Sequence, residues 1–105
     1  MKVTRFLTAA LLAGIATAPA VAQSGDPQKG HALARNICAS CHAVEAQSAN
    51  SPDPNAAPFE AIARTPGMNE MALNAALHTS HKEMPNLILT TPQARNVIAY
   101  ILSLQ

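Results

Sequence analysis

The chain has 105 residues, nearly half of them apolar, with seven Lys and Arg, six Asp and Glu, two Cys, no Trp, one Tyr and two Phe. That length allows one domain at most. A formal charge of +1 excludes a strongly basic nucleic-acid binder held by counterion release and a polybasic membrane-surface protein.

The apolar residues crowd the first 22 positions, which read as a secretory signal peptide. Lys2 and Arg5 give it a positive start. Phe6 to Ala16 is an apolar run broken by Thr8 and Gly14, and Pro19-Ala20-Val21-Ala22 offers the small residues that a signal peptidase reads. The competing reading is a retained membrane anchor, but the run is shorter than the ~20 residues a spanning helix needs. Cleavage after Ala22 leaves 83 residues with five bases and six acids, and the expected destination is the periplasm. The expected organisation is thus a signal peptide over 1–22 and one domain over 23–105. With Phe59 and Tyr100 as its only aromatics, such a domain has a thin core and needs a disulfide, a metal or a cofactor.

The first helix is expected to open at Asp26-Pro27, where Asp caps free N–H groups and Pro suits the first helical position. It runs on to Ile37, with Leu33 and Ile37 on one stripe. Gly30 costs about 1 kcal/mol against Ala inside a helix; either a close helix crossing requires it or it is tolerated near a helix end.

Cys38-Ala39-Ser40-Cys41-His42 follows at once. Cys-x-x-Cys-His is the pattern of c-type haem attachment. Two thiols three residues apart can each add to one of two adjacent vinyl groups, and the next residue, His42, is then held beneath the iron. Three other readings compete. A thioredoxin-like redox pair should follow a strand of a βαβ unit, and no convincing strand is present. A zinc site wants a second ligand pair, and only scattered histidines remain. A disulfide closing so small a loop stabilises little.

Residues 43–58 are polar, carry Pro52, Pro54 and Pro58, and form a loop long enough to wrap one haem edge. Phe59 to Arg64 can form a short helix, Pro66-Gly67 a turn, and Asn69 can cap a helix to about Thr79 with Met71, Leu73, Ala76 and Leu77 as its apolar positions. Ser80 to Leu89 is a further loop. In the last helix Val97, Ile98, Ile101, Leu102 and Leu104 make a broad apolar face. Its start is open: Thr90 with Gln93 suits a capping box, Thr91-Pro92 a start one residue later. Four short helices and no strand give an all-α fold.

With His42 in the fifth position of the iron, the sixth decides the function. Met68, Met71, His78, His81 and Met84 are the candidates. Met84 is preferred, because Pro85 biases it toward an extended conformation in a loop from which its sulfur can reach the iron. Met68 and Met71 read as packing residues; His81 is the rival, and His78 belongs to the preceding helix.

At this point the chain resembles the class I c-type cytochromes, in particular the small bacterial monohaem members, over nearly all of residues 23–105. The resemblance rests on Gly-Asp-Pro-x-x-Gly at 25–30, Cys-x-x-Cys-His at 38–42, His-Lys-Glu-Met-Pro-Asn-Leu at 81–87 and Val-Ile-Ala-Tyr-Ile at 97–101. It implies the cytochrome c fold around one covalent haem c. It also implies that Gly30 packs against Tyr100, that a Pro carbonyl orients His42 (Pro58 before Pro54), and that Asn86 steers the Met84 sulfur. Two positions depart from the family: Ala34 stands where a large aromatic is frequent, and there is no Trp near a propionate. The expected function is a monomeric electron carrier between redox partner proteins rather than an enzyme, with Lys82 as a local docking charge. A haem enzyme or gas sensor, which needs an open sixth position, and a haem-free thiol–disulfide protein are the alternatives.

Overall fold

The computed structural model describes residues 14–17, 25–79 and 83–105. The expected signal peptide falls almost wholly outside these residues, as do His81 and Lys82. Among the described residues no helix is long and apolar enough to cross a membrane.

Four helices follow in chain order: α1 (Pro27–Ile37), α2 (Phe59–Ala63), α3 (Glu70–His78) and α4 (Thr91–Leu102). No strand occurs among the described residues, in accord with the all-α expectation. Each of the three longer helices starts where a side chain can satisfy its first N–H groups. The Asp26 carboxylate accepts from the N–H groups of Gln28 and Lys29 at 2.9 and 3.2 Å. Asn69 accepts from Ala72 N–H at 2.9 Å. For α4 the capping box decides the start: Thr90 Oγ1 accepts from Gln93 N–H, and Gln93 Oε1 accepts from Thr90 N–H.

The most extensive helix contact is between α1 and α4. Gly30 explains it. A Cβ built there would lie 1.8 Å from the Asn96 carbonyl oxygen, and one at Gly25 would lie 2.0 Å from that of Arg95. The two helix backbones touch where a side chain would otherwise stand, and Asn96 Oδ1 accepts from Asp26 N–H at 2.8 Å to seal the crossing. Gly30 therefore meets the backbone at Asn96–Val97 first. The Tyr100 ring, expected against Gly30, stacks on the neighbouring His31, with centroids 4.5 Å apart and planes 21° off parallel.

The core combines Ala34 of α1, Phe59 of α2, Leu73 of α3 and Val97, Ile98 and Ile101 of α4. Burying each of the larger side chains contributes about 1.5–3 kcal/mol. Met71, expected on the apolar face of α3, is instead 81% exposed. At about 100° per residue it lies roughly 200° from Leu73 around the helix, so packing Leu73 inward turns Met71 outward.

Candidate functional site

The last turn of α1 leads directly into residues 38–42. Cys38 caps the helix, its N–H donating to Ala34 O at 2.9 Å. Both Cys41 N–H and His42 N–H then donate to Cys38 O, at 3.1 and 2.9 Å. The segment thus makes one more helix-like turn. Positions i, i+3 and i+4 share a side of such a turn, so Cys38, Cys41 and His42 are brought together. No disulfide joins the two cysteines; Cys38 is buried and Cys41 half-buried. Burial pushes the Cys38 thiol up to about 11, so it keeps its proton at neutral pH. That burial disfavours, at Cys38, the thiolate through which a thiol attacks in redox exchange.

The loop after the motif is tied back at three places. Ala43 N–H donates to Ser51 Oγ at 3.0 Å, Asp53 N–H to Cys41 O at 3.1 Å, and Phe59 N–H to Ala43 O at 2.9 Å. These bonds bring Ala57 against His42, whose Nδ1–H donates to Ala57 O at 2.7 Å. The bond fixes the ring and leaves Nε2, the other nitrogen of the neutral imidazole, as the one able to take a metal. The acceptor corrects the expectation for Pro58. Its own carbonyl takes the Ile62 N–H at 3.1 Å, in the first turn of α2, so the residue before the proline supplies the oxygen.

A cavity of about 370 Å³ opens beside this turn. Cys38, Cys41 and His42 line it, as do Met84, Pro85 and Leu87 of the loop before α4. Leu73, Leu77, Val97 and Ile101 make its floor apolar. The chain enters the Met84 loop through Glu83 at φ 68°, a left-handed conformation that a non-glycine residue holds only at a cost. Asn86 is exposed two residues beyond Met84. Of the site residues read from the sequence, Cys38, Cys41, His42 and Met84 thus share one cavity, while Pro58 and Asn86 flank it. His78 faces elsewhere: its Nδ1–H donates to Asn74 O of its own helix at 2.7 Å, and it lines a groove between α3 and α4 with Met71 and Arg95. Met68, read as a packing residue, does pack on the core and also lines the cavity. Sequence reasoning missed Ala57 and Asp53. An X-Pro step marks Ala57; Asp53 carries no signal beyond its place in a proline-rich loop.

The donor set fits a haem. Two thiols, an imidazole and a thioether lining one largely apolar cavity are the kinds of group a covalently held porphyrin requires. A zinc site is not supported, since among the described residues no group of three or more His, Cys, Asp or Glu side chains is placed so that it could hold a metal ion.

The comparisons with known proteins agree. The family model described as Cytochrome c matches residues 27–105. Cytochrome c-552 of Bradyrhizobium diazoefficiens is 33% identical over 96 residues, covering 90% of each chain. No solved structure gives a significant match.

Proposed function

This chain belongs to the cytochrome c family, and we propose that it is a periplasmic, monomeric one-electron carrier whose iron is ligated by His42 and Met84. The family's cofactor is covalent haem c, and Cys38 and Cys41 fit its attachment motif. The observation that carries the proposal is the convergence of Cys38, Cys41, His42 and Met84 on one largely apolar cavity.

When bound, the haem supplies the Fe(III)/Fe(II) couple, and the chain's residues decide how that couple behaves. In this reading Cys38 and Cys41 hold the ring as thioethers. His42 presents Nε2 because Nδ1–H is spent on Ala57 O. Pro58 restricts Ala57 to extended backbone and so keeps that oxygen in place. Met84 adds a soft thioether, which favours Fe(II) and raises the potential. Asn86 steers the Met84 sulfur. With His42 and Met84 both holding the iron, small ligands would be excluded and a change of charge would need little rearrangement, which suits transfer between redox partner proteins. Residues 1–22 act as a signal peptide removed after Ala22, which delivers residues 23–105 to the periplasm.

Replacing the proposed sixth ligand tests this. Met84→Ala is expected to keep its covalent haem, to lose the high potential and to bind carbon monoxide at neutral pH. An unchanged potential and spectrum in that variant would discard Met84 as a ligand.

A further inference from the structure

The cavity has an unbalanced electrostatic lining. Among the described residues, the formally charged residues that line it are Asp53 and Glu83, with no Lys or Arg. The described cations stand elsewhere. Arg35 pairs with Glu45 at 3.3 Å and Arg64 with Glu60 at 2.8 Å. Arg95 lines the groove between α3 and α4, and Lys29 is exposed in the first turn of α1.

Asp53 is also the better anchored of the two acids. Its N–H donates to the carbonyl of Cys41 at 3.1 Å. Its Oδ1 accepts from Asn55 N–H at 2.9 Å, and its carbonyl accepts from Ala56 N–H at 3.0 Å. The carboxylate is thus locked in a short turn fastened to the attachment segment, and it is half-buried in the cavity wall. Glu83 sits on the Met84 loop, where any replacement also disturbs the thioether.

We propose that Asp53 is a potential-setting residue of this site: its fixed negative charge favours the ferric form and lowers the reduction potential that Met84 raises. The oxidised site carries one more positive charge than the reduced one. A nearby carboxylate therefore stabilises the oxidised state, with an energy that grows as the surroundings become less polar than water. The opposing contributions of Met84 and Asp53 then set the potential at which the site exchanges one electron with a redox partner. This inference rests on the haem-carrier reading above.

Asp53→Asn separates charge from structure, because the amide oxygen can still accept from Asn55 N–H. Holo-protein poised with redox mediators at neutral pH is the sample, followed by its visible and near-infrared absorbance. At a fixed applied potential, Asp53→Asn is expected to raise the Fe(II):Fe(III) ratio about three- to tenfold. That is an upward shift of about 30–60 mV at 59 mV per tenfold for one electron. Its near-infrared sulfur-to-iron band should match the parent's, and Asp53→Glu should stay near the parent potential. An unshifted Asp53→Asn overturns the proposal. So does a shift that comes with loss of a band the parent has, or the same rise in Asp53→Glu. A parent protein without the band contradicts the Met84 assignment alone; the Asp53→Asn shift then still decides the role of Asp53.

Discussion

Tyr100 joins three parts of the chain that the sequence keeps far apart. Its hydroxyl donates to Val44 O, its ring stacks on His31, and His31 Nε2 lies 2.7 Å from Glu45 Oε2. Burial raises its pKa above the ordinary tyrosine value; Glu45 adds to the rise and Arg35 opposes it. The folded chain thus holds this proton more tightly than the unfolded chain. The resulting stability is fully present below pH ~10, the usual tyrosine value, and is lost as pH rises through the higher folded value. Tyr100 is the only tyrosine, so phenolate absorbance near the ultraviolet edge reports it alone. Its midpoint in the holo-protein is expected above 10; a midpoint at or below 10 contradicts the burial argument. Tyr100→Phe leaves Val44 O without this donor and is expected to cost about 1–2 kcal/mol in denaturant unfolding. The sequence marked Tyr100, through the resemblance, as the packing partner of Gly30. It did not reveal the bond to Val44, 56 positions away. His42 gives the same lesson more narrowly. Its proposed role was read from Cys-x-x-Cys-His, but its hydrogen-bond partner was off by one, because the capture of Pro58 O by α2 depends on where that helix begins.

Helix ends were the most legible feature of this chain, because their signals are local. Asp26-Pro27, Asn69 and Thr90 with Gln93 each place a cap within three residues of the N–H groups it satisfies. Faces were harder. Met71 and Leu73 are both apolar and close in sequence, but only one can face the core of so short a helix, and tertiary packing selects Leu73. The α1–α4 crossing was half legible. Gly30 suggested a close approach, yet only the fold reveals that the atoms nearest to it are the backbone of Asn96 and Val97. Gly30→Ala therefore must push the helices apart instead of filling a gap. A loss of about 1–3 kcal/mol or more is expected, read as a lower denaturant midpoint of the holo-protein. A neutral or stabilising Gly30→Ala, the outcome for an exposed helical glycine, contradicts the crossing.

The molecule as a whole is organised around the cavity. α1 ends in the attachment turn, the 43–58 loop folds back on that turn, α3 and α4 supply apolar walls, and the loop before α4 presents Met84. So few aromatic residues and so small a core leave the chain short of its own packing material, which a covalent porphyrin held in this cavity would supply. The attachment motif and the preference for Met84 could be read from the sequence because spacing and the following Pro85 carry them. The lining by Asp53 and Ala57 could not, since a long polar loop gives no pattern until its hydrogen bonds close. The near-infrared spectrum of the ferric holo-protein at neutral pH bears on all of this at once, because only a methionine sulfur bound to the iron gives the sulfur-to-iron band. The arrangement described requires that band in the native protein and its loss in Met84→Ala. A native ferric protein that lacks it has some other group, or none, opposite His42.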